Sequence, residues 1–303
     1  MKSSLNKHIV ERAQPWLGTF VKIRVEGLPT HDAHQAINAA FAEVAGVHHL
    51  MSFHEATSDV SRLNVHGNCA PTVVHSWTFE VLQWALILSS ATGGCFDVSI
   101  GAELVDWHFL PPPSGAAYPP NGSWQDIELR SDGSVQLHRP LWIDLGGIAK
   151  GYAVDRATEC LRSWGAPCSV VNAGGDIRVE GDTLEPIVLD SESKMESYRT
   201  TLPIVELRDG SIASSSGHRQ QVWHRGCPRG PHIDGRSRVP APTDRFVSVI
   251  AGKCIVADAL TKVVIVQGVE SDRVLREFGA SAHFRDVERE WNHFGVQGET
   301  AWV

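Results

Sequence analysis

The chain lacks most of the signatures that sort a protein quickly. It has no Cys-x-x-Cys pair: the six cysteines, at 69, 95, 160, 168, 227 and 254, show no metal-ligand spacing and read as free, mostly buried thiols. No His-Glu-x-x-His motif occurs among its 15 histidines, which removes the commonest zinc-hydrolase pattern. Positive charge is short as well. Lys and Arg number 27 against 35 Asp and Glu, a formal charge of -8, which excludes a general nucleic-acid binder or an anionic-membrane binder. No stretch approaches the ~18 consecutive apolar residues of a transmembrane helix. The opening "MKSSLNKHIVERAQPW" has no apolar core of the secretory kind. Internal repeats and low-complexity tracts are missing too, and a cytoplasmic protein is the expectation.

What is present is globular: 303 residues, 42% hydrophobic and 20% charged, enough for one large domain or two of ordinary size. "FVKIRVE" (20–26) alternates strictly, with Val21, Ile23 and Val25 on one face, and predicts a half-exposed strand. From Thr30, a fair N-cap, apolar residues recur at Ala33, Ile37, Phe41, Val44, Val47 and Met51, predicting an amphipathic helix. His48 and His49 lie on it as boundary residues. A second helix begins at Ser76 and ends at Gly93-Gly94. A Pro/Gly loop (109–122) precedes short strands near 127–129, 135–137 and 141–144. A helix follows over 148–164 with Gly165 at its C-terminus. "SVVNAGGDIRVEG" (169–181) reads strand, glycine turn, strand. Further strands are expected at 187–189, 198–207 and 246–250, helices near 257–266 and 272–278, and then closing strands. Interleaved helices and hairpin-like pairs point to an α+β fold.

Five patches carry candidate chemistry. In "LWIDLGGIAKGYAVDRA" (141–157), Asp144 ends a strand, Gly146-Gly147 permit close approach, and Lys150 projects from a helix start. Such a junction favours a phosphate, although the spacing is neither a Walker A loop nor a Gly-x-Gly-x-x-Gly fingerprint. Asp144 as a simple cap and Lys150 as a surface residue are the competing readings. "TGGCFDVSIG" (92–101) and "VNAGGDIRVEG" (171–181) repeat the theme of a diglycine turn followed by an aspartate, Asp97 and Asp176, as if several loops met on one ligand. Asp258 lies in an apolar run and needs a magnesium ion, a lysine or a helix terminus, because an unpaired buried charge is expensive. Arginines 225, 229, 236, 238 and 245 crowd the loop 224–245, either as a positive field for a di- or triphosphate or as a solvated segment.

Taken in order, these patches resemble the ApbE family of FAD:protein FMN transferases. The resemblance runs through "WLGTFV" (16–21), "MSFHEATSDVSRLN" (51–64), "TGGCFDVSIGAELVDW" (92–107), "IDLGGIAKGYAVD" (143–155), "VNAGGDIRVEG", the Ser-Gly of "IASSSGH" (212–218), "HIDGRSR" (232–238) and "ADALTKVVIVQG" (257–268). It implies a single ApbE-like domain over 1–303, two-lobed and α+β, with mixed or antiparallel sheets and the FAD site between loops. It also implies a reaction in which FAD and Mg2+ meet, a threonine hydroxyl of an acceptor protein attacks the FMN phosphorus, and AMP leaves. Phosphoryl transfer of this kind relies on positioning and charge neutralisation.

By the resemblance, Leu17, His54, Cys95, Phe96, Asp97, Asp144, Lys150 and Ile233 hold FAD, with His54 in a stacking position. Gly147, Asp258 and Thr261 ligate the metal, and His232 accepts the threonine proton, a task suited to its unperturbed pKa near ~6.5. Three departures stand out. Leu17 replaces the usual Met, and "HIDG" is one residue short with Gly235 where the family has Pro. Lys262 stands four residues after Asp258, where the family has a metal-binding Thr, while Thr261 lies three residues on. Either Thr261 ligates through a slightly rotated helix or the Lys262 ammonium partly replaces the ion, and magnesium still used but bound more loosely than usual is the resulting expectation. Hydrolysis of FAD to FMN and AMP, and a non-catalytic FAD carrier, are the alternative functions.

Overall fold

The computed structural model describes residues 8–115, 117–119, 122–189, 203–217, 220–286 and 291–296. Its framework is an eight-stranded sheet whose strands lie side by side in chain order: β1 (Ile9–Trp16), β2 (Thr19–Glu26), β3 (Cys168–Ala173), β4 (Asp176–Glu180), β5 (Gly210–Ser216), β6 (Arg245–Ala251), β7 (Ser281–Asp286) and β8 (Asn292–Gly295). Every neighbouring pair is antiparallel, as are the pairs of the smaller sheets among the described residues. The α+β class is therefore observed, with antiparallel pairing throughout.

On β2 the alternation read from sequence is the packing: Val21, Ile23 and Val25 are fully buried while Lys22 is exposed. Four longer helices complete the frame: α1 (Thr30–Met51), α2 (Ser76–Ala91), α3 (Ala149–Ser163) and α4 (Cys254–Gln267). The stripe Ala33, Ile37, Phe41 and Val44 of α1 packs with Val154, Ala157 and Leu161 of α3 over β2. Full burial of side chains of this size contributes about 2 kcal/mol each. α4 is buried almost all round and packs on α3, β5 and β6. Its N-cap position, Lys253, offers no side-chain acceptor. The Asp155 carboxylate of α3 does the capping, accepting the amides of Cys254 and Ile255 at 2.9 Å each.

Four expectations need correction. Residues 141–144 form no strand. Their backbone groups pair singly instead: the Asn64 amide bonds both N–H and C=O of Ile143, Asp144 N–H donates to Val98, and the Trp142 carbonyl accepts from Gly101. Thr30 is the first helical residue of α1, not its cap, and Pro29 precedes it without a side-chain bond. The strand expected at 198–207 is seen as Ile204–Leu207, paired with Glu185–Val188, and residues 198–202 lie outside the described ones. The arginine-rich segment is built, not structureless: Val222–His224 pairs with Cys227–Arg229, and Ile233–Asp234 with Val239–Pro240.

Candidate active site

A cleft of about 450 Å³ opens where the β1–β2 turn, the segment after α2, the start of α3, the end of β5 and the loop at 231–233 converge. Leu17, Cys95, Phe96, Asp97, Asp144, Gly147, Lys150, His232 and Ile233 all line it. Asp258 and Thr261 are fully buried and do not line it themselves; their neighbour on α4, Lys262, does. His54 is exposed just beyond α1 and is not among the lining residues.

Each wall has a local cause. Leu17 and Gly18 both take positive φ, 56° and 72°, so β1 and β2 are joined by a two-residue hairpin turn whose twist suits the strands. A leucine held there costs about 1 kcal/mol or more and is set against the cleft. Thr92 ends α2, its hydroxyl donating to the Leu88 carbonyl at 2.8 Å and accepting the Phe96 amide at 3.1 Å. Gly93 and Gly94, at φ 60° and 84°, then turn Cys95-Phe96-Asp97 into the wall. Burial pushes the Cys95 thiol up to about 12, so it is no thiolate nucleophile at neutral pH.

The floor is charged. Lys150 pairs with Asp176 at the start of β4 and stands 3.8 Å from Asp258 Oδ1. Lys262 Nζ pairs with the same Oδ1 and donates to the Asp258 carbonyl at 2.9 Å. Asp258 Oδ2 accepts the Gly151 amide at 3.0 Å, and Thr261 Oγ1 donates to the Asp258 carbonyl at 2.7 Å while bonding Ser215 Oγ at 2.8 Å. Gly151 is required: a Cβ there would lie 2.3 Å from the Cys254 carbonyl oxygen and 2.8 Å from Asp258 Cβ. Burial works against the Asp258 charge, but Lys150 and Lys262 hold its carboxyl below the ordinary range. Asp176, buried and facing Asp258, is raised to about 6 despite Lys150. Lys150 stays protonated: burial opposes its charge, and Asp176 and Asp258 outweigh it. Burial raises the Asp144 carboxyl, against the Gly146 amide it accepts.

His232 sits across from these lysines. Burial first, then the Lys262 and Lys150 charges, lower its pKa to about 3, so its ring is neutral at physiological pH and a weaker base than a free imidazole. Its loop is pinned to the opposite wall. Arg238 Nη2 bonds Asp97 Oδ2 and Ser99 Oγ, each at 2.9 Å, and Gly235 N–H donates to the Cys95 carbonyl at 3.0 Å. Burial raises the Asp97 carboxyl, and Arg238 opposes the rise.

Several readings shift in detail. The first-turn amides of α3 are not the open anion site expected: Ala149 N–H goes to Leu145 and Gly151 N–H to Asp258. The arginines of 224–245 do not supply the positive field either. Arg225 pairs with Asp106, Arg236 with Asp234, Arg238 with Asp97 and Arg245 with Asp286, while Arg229 covers the Trp107 ring. Among the described residues, the cations lining the cleft are Lys150 and Lys262. Of the three partners imagined for Asp258, the lysine and the helix terminus are found. Sequence reading gave no role to Asp155, offered Arg238 only as part of a positive field, and placed Asp176 near a ligand without its Lys150 partner. Their signal was the charge beside each glycine motif. Ser214, Ser215 and Ser216 also line the cleft, whereas His218 lies outside the described residues. Among the described residues, the one histidine–carboxylate group spaced for a metal ion is His48, His49 and Glu55, outside the cleft.

An α+β scaffold with a deep cleft, two ammonium groups on its floor and a neutral histidine opposite defines a binder of an extended anionic ligand. Residues 17–284 match the ApbE family, and the chain belongs to that family. It is 27% identical over 302 residues to the FAD:protein FMN transferase of Treponema pallidum, covering 90% of this chain and 83% of the relative. It is 28% identical over 240 residues to that of Vibrio cholerae, covering 75% and 72%. The fold is that of the crystallised ApbE protein of Thermotoga maritima, with a TM-score of 0.82, 24% identity, and 95% and 97% of the two chains covered. The flavin transferase ApbE from Vibrio cholerae superposes with a TM-score of 0.79 at 23% identity, over 95% and 97%.

Proposed function

We propose that this chain is an FAD:protein FMN transferase acting on a threonine of an acceptor protein. The observation that carries the reading is the facing of neutral His232 and the Lys150–Lys262 pair across one cleft. The acceptor threonine oxygen attacks the FMN phosphorus of FAD. One P–O bond forms, the P–O bond to the AMP phosphate breaks, and the hydroxyl proton passes to His232. AMP leaves carrying the electron pair of the broken bond. The ammonium groups counter charge on the diphosphate in a site where such contacts count for more than in water. Leu17, Phe96 and Ile233 offer apolar contact to the ligand, with Asp97 and Asp144 beside them, while His54 is not among the lining residues.

Magnesium, expected through Gly147, Asp258 and Thr261, does not fit the residues as they stand. Both Asp258 carboxylate oxygens and its carbonyl already accept hydrogen bonds, and the Thr261 hydroxyl is engaged by Asp258 and Ser215. The test is incubation of the protein with FAD and candidate acceptors. AMP release with flavin fluorescence retained on a denatured acceptor band supports transfer. AMP with free FMN alone would make the protein a hydrolase, and intact FAD with every acceptor would make it a carrier.

A further inference from the structure

We infer that the Lys262 ammonium is this chain's resident counter-cation for the diphosphate, in the place where a divalent ion is expected. The inference rests on the transferase reading for its substrate, but its geometry is independent of it. Nζ contacts the carboxylate and the carbonyl of Asp258, two oxygens that a cation between α3 and α4 would use. The aliphatic stem crosses Gly147, where a Cβ would lie 3.6 Å from Lys262 Cε. Lys262 thus spans the glycine and the aspartate assigned to the metal, and it belongs to the cleft wall.

Charge balance points the same way. Two ammonium groups, Lys150 and Lys262, face two carboxylates, Asp176 and Asp258, within one cluster. A divalent ion added to that cluster would have to displace Lys262 from Asp258 and leave an ammonium beside two further positive charges, with Asp144, whose carboxyl burial raises, as the remaining carboxylate that feels Lys262. Without the ion, two of the three Lys262 donors are spent on Asp258 and the remaining one is available to a phosphoryl oxygen in the cleft. A lysine meets phosphate as a compact point charge, which is the electrostatic duty of the ion. Thr261, one residue earlier, is turned into the α4–β5 contact through Ser215, which explains why it does not take over as ligand.

The experiment measures FAD affinity by flavin fluorescence and, with a threonine-bearing acceptor present, AMP release by chromatography, in EDTA and in excess MgCl2, for the wild type, Lys262→Thr and Lys262→Met. The expected wild type binds FAD and releases AMP equally in both buffers. Lys262→Thr loses about a hundredfold in AMP release in EDTA and regains it with magnesium, while Lys262→Met stays low in both. Wild-type affinity or AMP release that collapses in EDTA and returns with magnesium would overturn the inference, whatever the variants do. Failure of the transferase reading looks different: AMP absent in both buffers. FAD affinity that does not change between buffers would then still support Lys262, and affinity requiring magnesium would refute it.

Discussion

Arg238 Nη2 lies 2.9 Å from Asp97 Oδ2 and joins segments 141 residues apart in the chain. The bond ties the His232 loop to the wall formed after α2, and Asp97 is only 5% exposed. Arg238→Ala leaves that carboxylate buried without its cation and should cost about 3 kcal/mol, read by urea unfolding. It should also raise the KM for FAD. A loss within error of zero would mean that the loop is held by other contacts.

Gly235 stands in the tightest contact of the same loop. A Cβ there would be 2.4 Å from the Gly94 carbonyl oxygen and 2.5 Å from Asp97 Cβ. Gly235→Ala should destabilise by about 1–3 kcal/mol in thermal unfolding. Gly235→Pro should be worse, because it also removes the N–H that bonds the Cys95 carbonyl. Gly235 is thus what lets the His232 loop close against the wall after α2.

Asp155 joins α3 to α4. Asp155→Ala orphans two buried amides and should cost about 2–4 kcal/mol. Asp155→Asn, which keeps one acceptor, should recover part of that in the same denaturant titration. Because α4 carries Asp258 and Lys262, FAD affinity should fall in the same order.

His283 sets a pH dependence of stability outside the cleft. It is 1% exposed, its ring centroid lies 4.5 Å from that of His293, and burial lowers its pKa to about 4. The unfolded chain binds the proton more readily, near ~6.5. Stability from this group is therefore full above ~6.5, falls with pH through about 4, and amounts to about 3 kcal/mol. His283→Phe should lack that slope. Identical pH profiles for the two proteins would refute the assignment.

Much of this was legible in the chain. β2, α1 and α2 followed from period-two and period-three-to-four patterns, because one face of each meets a single core. The glycine–aspartate motifs located the cleft, since close approach needs glycine wherever it occurs. The strand expected at 141–144 failed because an asparagine 79 residues away satisfies Ile143, and no local pattern encodes such a partner. The arginine-rich segment misled for a related reason: its charges find Asp97, Asp106 and Asp286 from distant parts of the chain. Lys262 was visible as an anomaly, but that it crosses Gly147 to reach Asp258 is a fact of the tertiary structure alone.

The central claim is that His232 takes the proton of an acceptor hydroxyl while the lysines hold the diphosphate. The measurement is the intact mass of a threonine-bearing acceptor after incubation with FAD and either the wild type or His232→Gln. The account predicts an FMN phosphoester adduct with the wild type. It predicts a rate about 10²–10⁴-fold lower with His232→Gln at near-normal FAD affinity. Since His232 loses its base form only as pH falls through about 3, the wild-type rate should show no histidine limb between about pH 5 and 8. Adduct formation that His232→Gln leaves unchanged, or AMP release with the acceptor unmodified, would contradict it.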